Sequence, residues 1–165
     1  MFTEIIGVIG LGNAGGAVAG ALARKTKVVG FDPDPERCLR AGDLGVDCVS
    51  STEELAEKTD HVILSLPKPE ISTAVTKTLC DSASRPKLLI ETSTVTPQTA
   101  VTCNDLCKKS DIAYVDAAIA GGVASMAAGE ITFFLGGADE NKKLASNILN
   151  LIAAGIHDLG PVGAG

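Results

Sequence analysis

The feature that most constrains this chain is a run of glycines near its start, Gly10-Leu11-Gly12-Asn13-Ala14-Gly15. An apolar segment, IIGVIG (5–10), leads into the run and predicts a strand. An alanine-rich segment, 14–25, follows it and predicts a helix. Glycines at this spacing allow a tight turn, an exposed stretch of backbone and close packing of helix on strand. The chain therefore predicts a strand, a glycine turn and a helix as its first unit.

Apolar, β-branched runs recur after this unit and alternate with helical stretches. Continuous apolar strands separated by helices indicate parallel strands covered on both faces. We therefore expect a single α/β domain over residues 1–165, of Rossmann type, with a doubly wound, mostly parallel sheet. The predicted strands are 5–10, 27–32, 46–49, 61–67, 87–92, 112–118, 129–137 and 155–160. The predicted helices are 14–25, 34–42, a short one that begins with the capping pattern Ser51-Thr52-Glu53-Glu54, 70–80, 97–109 and 139–153.

The glycine turn and the residue at the end of the second strand together predict a dinucleotide site. Asp32 closes that strand, where an acid would bond a ribose 2′-hydroxyl. NADP would favour a cation there, and the first arginine after Asp32 is Arg37, so NAD is the favoured cofactor. Two alternatives stay open from these residues: Asp32 as a helix cap, and a site for S-adenosylmethionine, which uses similar loops.

Composition and charge exclude several classes of partner. The net charge is −6 and no basic cluster is longer than two residues, which argues against nucleic acid and acidic membranes. The uncharged run 5–23 contains six glycines, which favours strand, turn and helix over a membrane span. The five cysteines include no CxxC pair, and Cys103 and Cys107 lack neighbouring ligands, so we predict no metal and a reduced, cytoplasmic protein.

A second group of glycines and hydroxyls follows the later strands. ETSTVTP (91–97) places Ser93 and Thr94 at the end of the fifth strand, and DAAIAGG (116–122) places two glycines after the sixth. The carboxyl ends of parallel strands meet at one edge of the sheet. These loops are therefore expected to converge beside the glycine turn, where the nicotinamide would lie.

In order and spacing, these motifs resemble the β-hydroxyacid dehydrogenase family, which includes 3-hydroxyisobutyrate dehydrogenase, tartronate semialdehyde reductase and 6-phosphogluconate dehydrogenase. The resemblance covers essentially the whole chain. It rests on GVIGLGNAG, the LP of LSLPKPE, ETSTVTP, DAAIAGGVASMAAGEITFFLGG and GPVGAG.

The resemblance implies a set of site residues. Substrate binding would fall to Ser93, Gly121 and Gly122, although the family's serine before the two glycines is Ala120 here and its proline is Ala118. The implied cofactor-binding residues are Gly10, Leu11, Gly12, Asn13, Ala14, Gly15, Asp32, Leu66, Pro67 and Thr94.

In the family, the glycines of GPVGAG (160–165) precede the catalytic lysine, which would lie four positions beyond Gly165. The resemblance thus implies an NAD-binding domain without the all-helical catalytic domain, and no catalytic residue within the chain. The parent enzyme would transfer a hydride between NAD and a small 3-hydroxy acid or semialdehyde, and a homo-oligomer is left open. The alternative is a non-catalytic dinucleotide-binding module used for sensing or protein interaction.

Overall fold

The computed structural model describes residues 2–165. Strands and helices alternate along the whole of this range, as the apolar runs predict. None of the helices in this range combines the length and the apolarity needed to cross a membrane. The elements are β1 (Ile6–Ile9), α1 (Asn13–Ala23), β2 (Val28–Phe31), α2 (Pro35–Asp43), β3 (Asp47–Cys48), α3 (Thr52–Lys58), β4 (His61–Leu64), α4 (Pro69–Asp81), β5 (Leu88–Glu91), α5 (Pro97–Lys109), β6 (Ala113–Ala120), α6 (Val123–Ala128), β7 (Ile131–Gly137), α7 (Asp139–Leu149) and β8 (Ala153–Gly160).

The eight strands form one sheet in the order β3-β2-β1-β4-β5-β6-β7-β8. All neighbours pair in parallel except β6 and β7, which are antiparallel. The predicted doubly wound, mostly parallel Rossmann-type sheet is therefore confirmed. A single row of paired residues crosses seven strands: Phe31, Ile9, Leu64, Glu91, Asp116, Gly136 and Gly160.

Local sequence explains where several helices begin. Asp34 caps α2 by accepting a hydrogen bond from the Glu36 N–H, and Pro35 occupies the first turn. Ser51 caps α3 in the same way through the Glu54 N–H. An oxygen at the cap position satisfies an N–H that has no partner within the helix. The capping pattern that the sequence predicts before α3 is confirmed.

The core lies on both faces of the sheet, as a doubly wound fold requires. One apolar cluster packs α1, α6 and α7 on one face, with Leu22, Met126 and Ile148 buried. The second packs α3, α4 and α5 on the other face, around Leu55 and Leu79. Both clusters consist mainly of alanine, valine, isoleucine and leucine. Small side chains of this kind let helices sit close to a parallel sheet.

The predicted elements differ most from the structure at the end of the last helix and in the segment between β6 and β7. Helix α7 ends at Leu149 rather than at residue 153, because the Ile152 carbonyl accepts a hydrogen bond from the Ile131 N–H and draws the chain into the sheet. Helix α6 was not predicted. It has only six residues, and it ends at Gly129, whose φ of +72° is the left-handed conformation that closes many helices.

Candidate functional site

The predicted site residues lie at one edge of the sheet, where β1, β2, β4 and β5 end. The chain order reverses direction between β1 and β4, and such switch points are where open α/β sheets bind ligands. Two cavities open at this edge. The first, of about 430 Å³, is here called the glycine-loop cavity, and its lining includes Gly10, Gly12, Asn13, Ala14, Gly15, Asp32, Arg37, Leu66 and Pro67.

The glycines of this cavity have separate structural roles. Gly10 has a φ of +93°, and a side chain there would collide with the Ser65 carbonyl oxygen. A side chain at Gly15 would collide with the Gly10 carbonyl oxygen, so helix α1 can lie against the end of β1 only because residue 15 has none. Gly12 is different. A Cβ there would meet only the Arg37 guanidinium, at 3.8 Å, which leaves the space above Gly12 open toward the cavity.

Helix α1 presents its N-terminus to the same cavity. Its N-cap is Gly12, no side chain caps it, and no acidic residue lies in its first turn. The N–H groups of a first helical turn have no partner within the helix. Asn13, Ala14 and Gly15, the first three residues of α1, line the cavity. Together the free N–H groups and the helix dipole make this end of the cavity attractive to an anion.

Asp32 holds the glycine turn in place. Its Oδ2 accepts a hydrogen bond from the Leu11 N–H at 2.8 Å, and its Oδ1 accepts one from the Asp34 N–H at 2.8 Å. The residue is only 5% exposed and lines the cavity. A carboxylate has about four acceptor positions, so Asp32 keeps capacity for a ligand hydroxyl after bonding both N–H groups. Asp34, not Asp32, caps α2.

Arg37 also belongs to this cavity, and the sequence reasoning did not include it among the site residues. Its Nη1 lies 3.5 Å from Asp32 Oδ2, and its Nε lies 3.6 Å from Asp34 Oδ2. One turn of helix α2 carries the arginine back over Asp32. Arg37 follows Asp32 by five positions and lies in the first turn of α2. This spacing is the sequence signal that could have indicated the contact.

Leu11, Leu66 and Pro67 differ in what they offer a ligand. The Leu11 side chain is buried in the core against Gly30, so this residue serves the site only through the N–H that bonds Asp32. Leu66 and Pro67, which follow β4, line the glycine-loop cavity with apolar surface.

The second cavity, of about 360 Å³, lies between the ends of β5 and β6 and is here called the β5–β6 cavity. Ala14 lines both cavities, so they adjoin at the start of α1. The other lining residues are Glu91, Thr92, Ser93, Thr94, Val95, Asp116, Ala117, Ala118, Ile119, Met126 and Gly165.

A chain of hydrogen bonds links the two cavities. Glu91 Oε1 accepts a hydrogen bond from the Ser93 N–H at 2.8 Å, and Ser93 Oγ accepts one from the Leu66 N–H at 2.7 Å. Glu91 is 1% exposed, and burial raises the pKa of its carboxyl above the usual range, although the bonds from Ser93 oppose this. Glu91 therefore fixes the loop after β5, which in turn fixes the loop after β4.

Asp116 holds the glycine-rich segment 160–165. Its Oδ1 accepts a hydrogen bond from the Gly163 N–H at 2.9 Å, and its Oδ2 accepts one from the Gly165 N–H at 2.7 Å. A Cβ at Gly136 would lie 2.5 Å from Asp116 Oδ2 and 2.7 Å from the Pro161 carbonyl oxygen. The bare backbone of β7 thus makes room for the turn. The sequence motif includes Asp116, but this role was not predicted.

Comparison with known proteins agrees with this geometry. Residues 5–160 match the family model described as the NAD binding domain of 6-phosphogluconate dehydrogenase. The chain belongs to this family of NAD-binding domains.

The relatives are dehydrogenases. Mouse mitochondrial 3-hydroxyisobutyrate dehydrogenase is 29% identical over 97% of this chain, which covers 49% of the relative. A probable 3-hydroxyisobutyrate dehydrogenase of Mycobacterium bovis is 31% identical over 97% of the chain and 55% of the relative. The structure of Mycobacterium tuberculosis 3-hydroxyisobutyrate dehydrogenase with L-serine superposes with a TM-score of 0.93 at 30% identity, over 99% of this chain and 57% of that one. The chain thus spans about half the length of these relatives.

Gly121 and Gly122 lie outside both cavities, unlike most of the other predicted site residues. Both are exposed at the end of β6, and neither lines the β5–β6 cavity. β6 extends four residues beyond Asp116, paired with β7, and so carries the two glycines past the end of β5. Ser93 and Thr94, by contrast, line that cavity together.

The five cysteines of this chain are free thiols. Cys103 and Cys107 are buried in the core, where burial raises the pKa of both thiols. No cluster of three or more potential metal ligands occurs among residues 2–165.

Proposed function

We propose that this domain binds NAD, with the adenosine and pyrophosphate in the glycine-loop cavity and the nicotinamide toward the β5–β6 cavity. The observation that carries the proposal is the position of Asp32, a buried carboxylate that lines the cavity and is bonded to the glycine turn at Leu11. An acid at this point can accept hydrogen bonds from the ribose hydroxyls of the cofactor.

The shape of the glycine-loop cavity fits a dinucleotide. The open space above Gly12 and the uncapped start of α1 would hold the pyrophosphate by main-chain N–H groups. Leu66 and Pro67 would bound the path of the cofactor with apolar surface. Ala14 joins the two cavities, so an extended ligand can pass from one to the other. These contacts support Gly10, Gly12, Asn13, Ala14 and Gly15 as cofactor-binding residues.

The β5–β6 cavity supports a place for the nicotinamide and a small polar substrate. Thr94 is exposed at its rim and would contact the nicotinamide side of the cofactor. The Ser93 hydroxyl accepts one hydrogen bond from the Leu66 N–H and lines this cavity, where it can meet a polar substrate. We assign the main-chain N–H groups of the exposed residues Gly121 and Gly122, beyond the end of β6, to a substrate carboxylate. Bound NAD would accept a hydride at the nicotinamide ring.

The proposed substrate class rests on the relatives rather than on the cavity. The relatives are 3-hydroxyisobutyrate dehydrogenases, and one structure contains L-serine, a small 3-hydroxy acid. We propose that the parent enzyme transfers a hydride between NAD and such an acid. Ala120 lacks the hydroxyl that the family's usual serine would offer, so we expect a weaker hold on the substrate carboxylate.

Titration of the chain with NADH, NADPH and S-adenosylmethionine tests the cofactor assignment. We expect NADH to bind more tightly than NADPH, because the Asp32 carboxylate repels a 2′-phosphate. Replacement of Asp32 by asparagine should reduce this preference. Tight binding of S-adenosylmethionine without binding of NADH would overturn the assignment.

A second experiment separates cofactor binding from catalysis. We propose that the proton transfer needed for dehydrogenation belongs to the part of the relatives that this chain does not match. The 165-residue chain, mixed with NAD and 3-hydroxyisobutyrate, should then bind NAD and form no NADH. Steady formation of NADH by this chain would contradict the proposal, and a full-length 3-hydroxyisobutyrate dehydrogenase serves as the positive control.

A further inference from the structure

Arg37 lies in a position that the assignment of Asp32 to the ribose does not explain. The guanidinium sits between the Asp32 carboxylate and the glycine turn: Nη1 is 3.5 Å from Asp32 Oδ2, and Cζ is 3.8 Å from the point where a Cβ on Gly12 would be. It lines the glycine-loop cavity and is 43% exposed. The arginine therefore lies at the same end of the cavity as the ribose-binding carboxylate.

The hydrogen bonds of Asp32 leave the arginine free to respond to a ligand. Main-chain N–H groups from Leu11 and Asp34 already hold both carboxylate oxygens. Asp32 therefore does not depend on Arg37 for its position. The contacts of Arg37 with the two aspartates are long, at 3.5 and 3.6 Å, and partly exposed to solvent. Such ion pairs contribute little stability, so the guanidinium can move toward a new anion at small cost.

A 2′-phosphate on the ribose would enter between these charges. A lone buried carboxylate at this point repels a phosphate and excludes NADP. A guanidinium beside the carboxylate offsets that repulsion, and its planar fork can bond two phosphate oxygens at once. The local geometry therefore contains both the acid that suits NAD and the cation that suits NADP.

We propose that Arg37 determines how strongly this domain discriminates between the two cofactors, and that it allows NADP to bind as a second, weaker ligand. The inference rests on the proposed function, because it requires the ribose to lie at Asp32. Asp32 sets the preference for NAD, and Arg37 limits the ratio between the affinities for NAD and NADP. Arg37 thus acts as a specificity-determining residue located on helix α2 rather than directly after β2.

The test compares the natural chain with Arg37→Gln, using Arg40→Gln as the matched control. Arg40 lies on the same helix, is exposed and lines neither cavity of the site. Affinities are measured for NADH and NADPH and, as smaller probes, for 5′-AMP and adenosine 2′,5′-bisphosphate, which differ only in the 2′-phosphate. We expect Arg37→Gln to lower the affinities for NADPH and for the bisphosphate by about tenfold, the size expected for loss of one charge-assisted phosphate contact.

The affinities for NADH and 5′-AMP should change less than about threefold in Arg37→Gln, a free-energy difference well below that of one charged contact. Arg40→Gln should leave the affinities for all four ligands unchanged. Equal weakening of all four ligands would show that Arg37 contacts the adenine or the 5′-phosphate, and would overturn the inference. So would binding of NADH with no binding of NADPH to the natural chain, or an unchanged preference in Arg37→Gln. Failure of the natural chain to bind either dinucleotide would instead overturn the proposed function.

Discussion

Asp32 and Asp116 use the same structural device at two ends of the site. Each carboxylate is buried, with exposures of 5% and 3%, and each accepts hydrogen bonds from two main-chain N–H groups. One of the two N–H groups at Asp32, and both at Asp116, belong to a glycine-containing segment. They differ in their surroundings. Asp32 has a guanidinium 3.5 Å away, whereas Asp116 pairs across the sheet with Glu91, another buried acid.

The difference lies in how far along the sequence each aspartate reaches. Asp32 bonds residues 21 and 2 positions away, so its own contacts lie within one βαβ unit. Asp116 bonds residues 47 and 49 positions away and so depends on the correct placement of β7 and β8. The first end of the site is therefore expected to be robust to changes elsewhere, and the second end to respond to them.

The largest effect is expected at Gly10, which supports the cavity held by Asp32. Gly10→Ala should lower the free energy of unfolding by about 3 kcal/mol or more, because the residue has a positive φ and its Cβ would strike the Ser65 carbonyl. Chemical denaturation measures the loss. Gly42→Ala is the control: its Cβ meets nothing within 4 Å in helix α2, so stability should stay equal or rise by about 0.5–1 kcal/mol. Equal losses in both variants would contradict the structure.

Asp116→Ala tests the other end of the site. The change leaves the N–H groups of Gly163 and Gly165 without their acceptor, which should cost roughly 2–3 kcal/mol of unfolding free energy. Hydrogen exchange at these two amides should accelerate. Affinity for NADH should fall less than in Asp32→Ala, because the glycine-loop cavity does not use Asp116. A larger loss of NADH affinity in Asp116→Ala would break the distinction between the two ends.

Ser93→Ala sharpens the comparison by cutting the bond between the two regions. Loss of the Ser93 hydroxyl removes the acceptor for the Leu66 N–H and should cost about 1–2 kcal/mol of unfolding free energy. Denaturant titration checks the value. Thr94→Ala, at the next and exposed position, should change stability by less than about 0.5 kcal/mol. Identical stability of Ser93→Ala and the natural chain would exclude the link.

The smallest expected effect on stability is at Glu91, and it is measured as the pH dependence of the free energy of unfolding. Burial raises the pKa of Glu91 above its ordinary value of 4.5, so the folded state binds the proton more tightly than the unfolded state. The free energy of unfolding should therefore fall as the pH rises from below 4.5 through the folded pKa. Glu91→Gln removes this fall, so the stability of the variant relative to the natural chain should increase as the pH rises across that range. Parallel pH profiles for the two proteins would contradict the raised pKa.

The sequence was informative where short motifs control local geometry. The glycine turn predicted a strand, a turn and a helix in the observed order, and the residue at the end of β2 was correctly placed beside it. Ser51 capped α3 as its spacing to Glu54 indicated. In each case the interacting atoms are close in sequence or at the ends of adjacent parallel strands, so periodicity and spacing are sufficient to bring them together.

Prediction from the sequence was less complete where distant segments meet. The contact of Asp116 with the 160–165 segment depends on the antiparallel pairing of β6 with β7, which no local pattern specifies. Arg37 was counted as too far from Asp32 along the sequence to matter, yet the first turn of α2 carries it back. Helix α6 is too short to produce a periodic pattern, so its glycine boundaries offered the only signal. The roles of Gly121 and Gly122 remain predictions.

The row of paired residues that crosses the sheet passes through Gly136, between Asp116 and Gly160. A methyl group at position 136 would occupy the space of the Pro161 carbonyl and the Gly165 N–H. Residues 161–165 would then have to leave the sheet in another direction, away from the ends of β5 and β6. One absent side chain on β7 thus determines the route of the polypeptide after β8. It brings that segment to the rim of the cavity in which we place the nicotinamide.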